Sequence, residues 1–135
     1  MEEATPRELF EKSLDRCLQS NSFIPTFYGK FLDSSVEVRA KFVHTDFRQQ
    51  NKMLTRSLKL SAAATAGIPA GLAEIKMRGE SHDRHHLDIK PHLYDLWLSS
   101  VIASARIHDK SWDTRTEDAW KTILGHVIHR MKKAY

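Results

Sequence analysis

Apolar residues recur at the spacing of an α-helix along nearly the whole chain, and this periodicity constrains the fold more than any other feature. The clearest stripe on one helical face lies in the last segment, at Trp120, Ile123, Leu124, Val127, Ile128 and Met131. No segment shows the sustained alternation of apolar and polar residues that is typical of a half-buried strand. The sequence therefore predicts an all-α fold of about seven helices.

Helix start signals divide the chain at regular intervals. Residues 5–8 form a capping box with proline at the first helical position. Glycine and proline in segment 67–71 are expected to interrupt a long helix. Further start signals lie at Ser22, Ser34, Asp46, Lys90–Pro91 and Thr114.

Length and composition favour one domain that spans residues 1–135, because 135 residues is an ordinary domain size. The single cysteine, Cys17, excludes a disulfide framework and a cysteine-rich metal cage. No apolar run is long enough for a membrane span, and the acidic first residues lack the layout of a signal peptide. We therefore expect a cytoplasmic protein without a membrane partner.

The chain is basic and rich in histidine, with 8 His and a net charge of +4. Its lysines and arginines are spread along the sequence, so they do not form a nucleic-acid footprint. Neither a glycine-rich phosphate loop nor a nucleophile elbow is present in the sequence. Hydrolase and nucleotide-binding functions therefore have no support, and no nucleic-acid partner is expected.

Two polar residues lie on otherwise apolar helical faces. Gln50 shares a helical face with Phe47 and Leu54. It is either a glutamine at the boundary of the core or a buried amide that needs a hydrogen-bond partner. Tyr28 lies between Ile24 and Phe31 on the same helical face. It is either a core residue or a phenol that donates a hydrogen bond to a bound ligand. The residues alone leave both alternatives open.

Histidines are concentrated after residue 81. His82 continues the apolar face of Leu72 and Ile75, and His85 and His86 follow it closely. A single histidine near a helix end is usually a surface residue, but three within five positions favour a metal or cofactor ligand. A zinc site that uses these three histidines is a further alternative, although their spacing matches no common zinc motif.

The order and spacing of these segments resemble the globin family, in particular bacterial single-domain haemoglobins and the haem domains of flavohaemoglobins. The similar segments are TFYGKFL (26–32), EVRAKF (37–42), QNKML (50–54), PHLY (91–94) and DAW (118–120). The resemblance covers nearly the whole chain. It implies a three-over-three helical sandwich that binds haem b (iron protoporphyrin IX).

On the proximal side, the resemblance implies that His82 is the iron ligand, with His85 and His86 as the alternatives. Ser81 is expected to help orient the imidazole, whose other N–H is given to a backbone carbonyl about one turn earlier. His86 or Arg84 is also expected to reach a haem propionate. Tyr94 is a further expected residue of the haem site.

On the distal side, the resemblance makes Tyr28 and Gln50 the polar pair beside the bound gas. Leu54 is the apolar wall next to it, and Phe42 packs on the haem face. Such a pocket implies reversible binding of O₂ or related diatomic gases such as NO or CO. It leaves open nitric oxide dioxygenase-type activity with an external reductase as electron donor.

One departure concerns the last helix. Flavohaemoglobins have a glutamate there that strengthens the proximal histidine, and the corresponding position here is Tyr135. This departure argues against efficient peroxidase or dioxygenase chemistry. The alternative to a globin is a helical module that binds protein or nucleic acid without a cofactor.

Overall fold

A computed structural model describes residues 4–135 of the chain. Over this range the protein is all-helical and has no strand, as predicted. None of the helices in it is long and apolar enough to cross a membrane. The seven helices are α1 (Pro6–Leu18), α2 (Phe23–Ser34), α3 (Val36–Lys41), α4 (Phe47–Thr65), α5 (Pro69–His82), α6 (Pro91–His108) and α7 (Thr114–Lys133).

Two of the predicted helix caps are confirmed by side-chain hydrogen bonds. The Thr5 hydroxyl accepts from the Glu8 backbone N–H at 3.1 Å and begins α1. The Asp46 carboxylate accepts from the Arg48 backbone N–H at 3.0 Å and begins α4. Each bond satisfies an N–H group that a helix N-terminus would otherwise leave unpaired.

Two other caps were predicted one residue away from their actual positions. Ser34 ends α2, where its hydroxyl donates to the Phe31 carbonyl, so Ser35 caps α3 instead. The last helix is capped by Asp113 rather than by Thr114. In both cases an adjacent residue offers the same type of oxygen, and only the backbone conformation decides which one accepts.

Helices α1, α2, α6 and α7 enclose the main aromatic core. The indole of Trp120 is fully buried and meets the ring of Phe10 edge-on, with centroids 4.8 Å apart. Phe23 and Phe27 are buried beside them, and Cys17 lies in the same core as a free thiol. Edge-on aromatic contacts of this kind stabilise a core beyond the area that they bury.

Helices α4 and α5 pack against each other at the opposite side of this core. Their close approach depends on Gly71, because a Cβ atom there would overlap the backbone of Ala64. The turn between them contains Gly67 at φ +77°, a conformation that favours glycine. The predicted interruption at 67–71 is therefore a tight corner, and it places α5 across α4.

Candidate functional site

A cavity of about 520 Å³ lies between the helices, and every helix except α1 contributes to its lining. This volume is within the usual range for cofactor and ligand sites. Much of the wall is apolar, including Phe31, Leu54, Leu58, Ile75, Leu93 and Ile128. The cavity is thus suited to a largely apolar ligand with a few polar contacts.

The side of the cavity formed by α2 and α4 contains four of the predicted site residues. These lining residues are Tyr28, Phe42, Gln50 and Leu54. The Tyr28 ring is 5% exposed and packs edge-on against both Phe42 and Phe47, with centroid distances of 5.8 and 5.3 Å. These two contacts hold the phenol at the cavity wall.

Burial controls the protonation of Tyr28. It raises the pKa of the phenol to about 12, and the nearby Gln50 side chain only partly opposes this shift. The hydroxyl is therefore protonated at neutral pH and can donate a hydrogen bond into the cavity. The Gln50 amide offers further donors on the same wall.

His82 is the last residue of α5 and lines the cavity from a different side. Burial, with a smaller contribution from the Arg78 charge, lowers the pKa of His82 to about 4. The imidazole is consequently neutral at pH 7, the form in which histidine binds metals. Among the described residues that line this cavity, His82 is the only histidine.

Comparison with known proteins identifies the family. No family model and no curated protein matches the sequence. A crystal structure of a Pseudomonas aeruginosa protein, described as structurally highly homologous to a human haemoglobin, matches with a TM-score of 0.92 and 34% identity. The match covers 97% of this chain and 98% of that one. The chain belongs to the globin family.

The three-over-three globin fold expected from the sequence resemblance is therefore confirmed. In this globin, α4 and α5 form one side of the cavity region, while α2 packs against α6 and α1 against α7. The fold places the C-terminal end of α5 beside α6. This arrangement brings His82 next to Tyr94, although the two residues are 12 positions apart.

The hydrogen bonding of His82 differs from the expectation. Its Nδ1 lies 3.3 Å from the Tyr94 hydroxyl rather than at a backbone carbonyl one turn earlier. The carbonyl of Arg78, one turn before, accepts a hydrogen bond from the Ser81 hydroxyl at 3.0 Å. Tyr94 is 8% exposed, and burial raises its pKa to about 12, so its hydroxyl is protonated at neutral pH. Tyr94 also lines the cavity.

The two histidines after the end of α5 lie outside the cavity lining. His85 is exposed, and its backbone N–H donates to the Asp83 carboxylate at 2.9 Å. His86 is also exposed, with Nδ1 2.7 Å from the same carboxylate. This pairing lowers the pKa of Asp83. The roles of His82 and His86 toward haem stay predictions.

The alternative of a metal site built from protein side chains alone finds no support over residues 4–135. No group of three or more His, Cys, Asp or Glu side chains in that range is arranged to hold a metal ion. His82 faces the cavity, whereas His85 and His86 are exposed at the corner after α5. The three histidines therefore do not share one site in this conformation.

Sequence reasoning missed three charged residues of the cavity. Glu74 and Arg78 line it and pair with each other at 2.7 Å. Lys41 lines it as well, and its ammonium group donates to the Leu87 carbonyl at 3.0 Å. The only signal for Glu74 was its place beside the apolar Ile75 on α5, and helix surfaces offer many charged residues of this kind.

Proposed function

We propose that this globin binds haem b in the cavity and, at its iron, O₂ or a related diatomic gas. The observation that most supports this function is that a single cavity is lined by a neutral histidine on one wall and by two hydrogen-bond donors on another. His82 is the histidine, and Tyr28 and Gln50 are the donors. The similarity to a protein described as homologous to a haemoglobin supports a haemoglobin-type function.

The residues present fit haem. The cavity offers apolar walls for the porphyrin faces and a single unprotonated imidazole for the iron. His82 would be the ligand, and Phe42 and Leu54 would contact the macrocycle from the other side. Haem, when bound, supplies a ferrous iron with one position for a diatomic gas. His86, exposed near the corner after α5, is the proposed partner of a haem carboxylate.

The distal side chains determine how long a gas ligand stays in the pocket. Tyr28 and Gln50 both donate hydrogen bonds toward it, and each bond contributes on the order of 1 kcal/mol. Two such bonds slow the release of a polar ligand such as O₂ by about one to three decades. CO accepts hydrogen bonds less well, so the pair favours O₂ over CO. Slow release suits gas scavenging or chemistry with a separate reductase better than transport.

A haem titration tests the proposed function. We expect the purified protein to develop a Soret band that saturates at one haem per chain, and its ferrous form to bind CO and O₂. Absence of a Soret band after haem addition would contradict the proposal. Salt-sensitive retention on DNA or RNA by colourless protein would favour the interaction module instead. Zinc without porphyrin would favour a metal site.

A further inference from the structure

Helix α5 has a buried ion pair on the same side as the candidate iron ligand. The Glu74 side chain is 4% exposed and accepts hydrogen bonds from Arg78 Nε at 2.7 Å and Arg56 Nε at 3.0 Å. The Ser57 hydroxyl also donates to it at 3.3 Å. A carboxylate so buried requires such partners, because removing a charge from water costs several kcal/mol.

The two arginines that pair with Glu74 are not equivalent. The Arg56 side chain is 66% exposed, so solvent screens its charge. The Arg78 side chain is only 19% exposed and lines the cavity together with Glu74. A guanidinium group stays positively charged in proteins, so Arg78 places a fixed charge at the cavity wall.

Arg78 lies one helical turn before His82. Residues at this spacing have Cβ atoms about 5–6 Å apart on one face of a helix. Consistent with this placement, the Arg78 charge adds to burial in lowering the pKa of His82. The Arg78 charge therefore disfavours any additional positive charge on His82 or on a metal ion that His82 binds.

The position of Tyr135 excludes it as the source of an opposing negative charge. In flavohaemoglobins, which the sequence resembles, a glutamate at the corresponding position acts on the proximal histidine. Here the Tyr135 hydroxyl donates to Asp88, and Arg84 lies 4.7 Å above its ring. Tyr135 is thus held at the loop after α5, and the charge that acts on the pKa of His82 is that of Arg78 on α5.

We propose that the Glu74–Arg78 pair sets the reduction potential of iron held by His82, an inference that rests on the proposed haem function. The Arg78 guanidinium disfavours the additional positive charge of ferric iron and so stabilises the ferrous form. Glu74 holds Arg78 in place and offsets part of its charge. The reaction concerned is the one-electron reduction of ferric to ferrous iron, in which a soluble redox dye supplies the electron. Glu74 and Arg78 transfer no proton in it.

Spectroelectrochemical titration of the haem-loaded protein tests this inference through substitutions with opposite expected effects. Arg78→Met leaves the Glu74 charge in the cavity wall. We therefore expect the equilibrium between ferric and ferrous iron to shift about tenfold toward the ferric form, which lowers the reduction potential by about 59 mV. Glu74→Gln leaves Arg78 uncompensated, and the potential should rise. Arg56→Gln is the matched control, since it contacts the same carboxylate from solvent and should shift the potential much less.

Two further variants keep the test decisive if a single substitution does not fold. Arg78→Lys keeps the charge and should leave the potential near that of the wild type. The double variant Glu74→Gln/Arg78→Met removes both charges and should lie between the two single variants. The Fe–His stretching frequency, measured by resonance Raman on the same samples, checks that His82 remains the ligand.

Each outcome separates this inference from the proposed function. A normal Soret band with unchanged potentials, or with shifts of the same sign in Arg78→Met and Glu74→Gln, overturns the inference alone. Shifts of the same sign would indicate general disturbance of the pocket rather than charge. A wild-type protein that takes up no haem overturns the proposed function and this inference with it.

Discussion

The two ends of this globin differ in whether their buried polar residues border a cavity. Where α1 meets α6 and α7, the Asp109 carboxylate is fully buried and accepts hydrogen bonds from Ser13, Arg16 and the Ser111 backbone N–H. The Ser13 hydroxyl accepts in turn from the Trp120 indole at 2.9 Å. These groups satisfy one another, and none of them lines the cavity described above.

At the cavity end, the buried Glu74 carboxylate is paired as well, but two other polar side chains border open space. Tyr28 and His82 both line the cavity, and burial is the main cause of the pKa shift of each. His82 Nδ1 lies 3.3 Å from the Tyr94 hydroxyl, so the other ring nitrogen is the one that we propose for a ligand. We expect stability to depend mainly on the α1–α6–α7 end, and the proposed ligand binding on the α4–α5 end.

Loss of the Asp109 carboxylate is expected to have the largest effect on stability. Asp109→Ala removes the charged acceptor of Ser13 and Arg16, and loss of these hydrogen bonds costs about 2–3 kcal/mol of the free energy of unfolding, since the remaining Arg16 charge is partly in contact with water. Urea unfolding measures this loss. Asp15→Ala, at an exposed position of α1, should change stability by about 0.5 kcal/mol or less. A similar cost for both variants would remove the contrast between the two ends.

The cavity end should affect stability through pH. The pKa of His82 falls from its ordinary 6.5 to about 4 on folding. Below pH 6.5 the His82 side chain of the unfolded chain binds a proton, whereas that of the folded protein stays neutral until about pH 4. The free energy of unfolding is therefore at its full value above pH 6.5 and decreases as the pH falls toward 4. The loss is at most about 3 kcal/mol.

Urea unfolding of the haem-free protein between pH 7 and 4 measures this dependence. His82→Asn should flatten the part of the profile between these pH values. His129→Asn, at an exposed position of α7, should keep the wild-type slope. Parallel profiles for the wild type and His82→Asn would show that His82 is not excluded from water as described.

The smallest effect on stability, and a clear one on ligand release, is expected at Tyr28. Tyr28→Phe keeps the ring contacts with Phe42 and Phe47 but removes one donor worth about 1 kcal/mol. Stopped-flow measurement should show O₂ release accelerated at least several-fold, with little change in unfolding free energy. Tyr135→Phe is the control, since that hydroxyl donates to Asp88 and Tyr135 does not line the cavity. Equal rates in the wild type and Tyr28→Phe would argue against a distal hydrogen bond.

Sequence patterns predicted the features that depend on spacing within one helix. The seven helices, and the presence of Tyr28, Gln50, Leu54 and His82 on inward faces, follow from helical periodicity and from the globin resemblance. These four residues then meet at one cavity because the fold places their helices around it, whereas the predicted site residue His86 lies outside the lining.

Features that depend on contacts between distant helices could not be predicted. Ser13 and Asp109 are 96 positions apart, and neither differs in local pattern from an ordinary polar residue. Glu74 and Arg78 have the spacing of an exposed helical ion pair, and only the packing of α4 against α5 buries the carboxylate. The Tyr94 contact with His82 likewise depends on how α6 lies beside α5.

Haem retention by three single histidine variants tests the central claim most directly. Each variant, His82→Ala, His85→Ala and His86→Ala, is loaded with one equivalent of haem and challenged with excess apomyoglobin as an acceptor. We predict that His82→Ala loses its haem rapidly, while His85→Ala and His86→Ala retain a Soret band close to that of the wild type. Retention by His82→Ala together with loss by either of the other two would contradict the assignment of the iron ligand to the cavity wall.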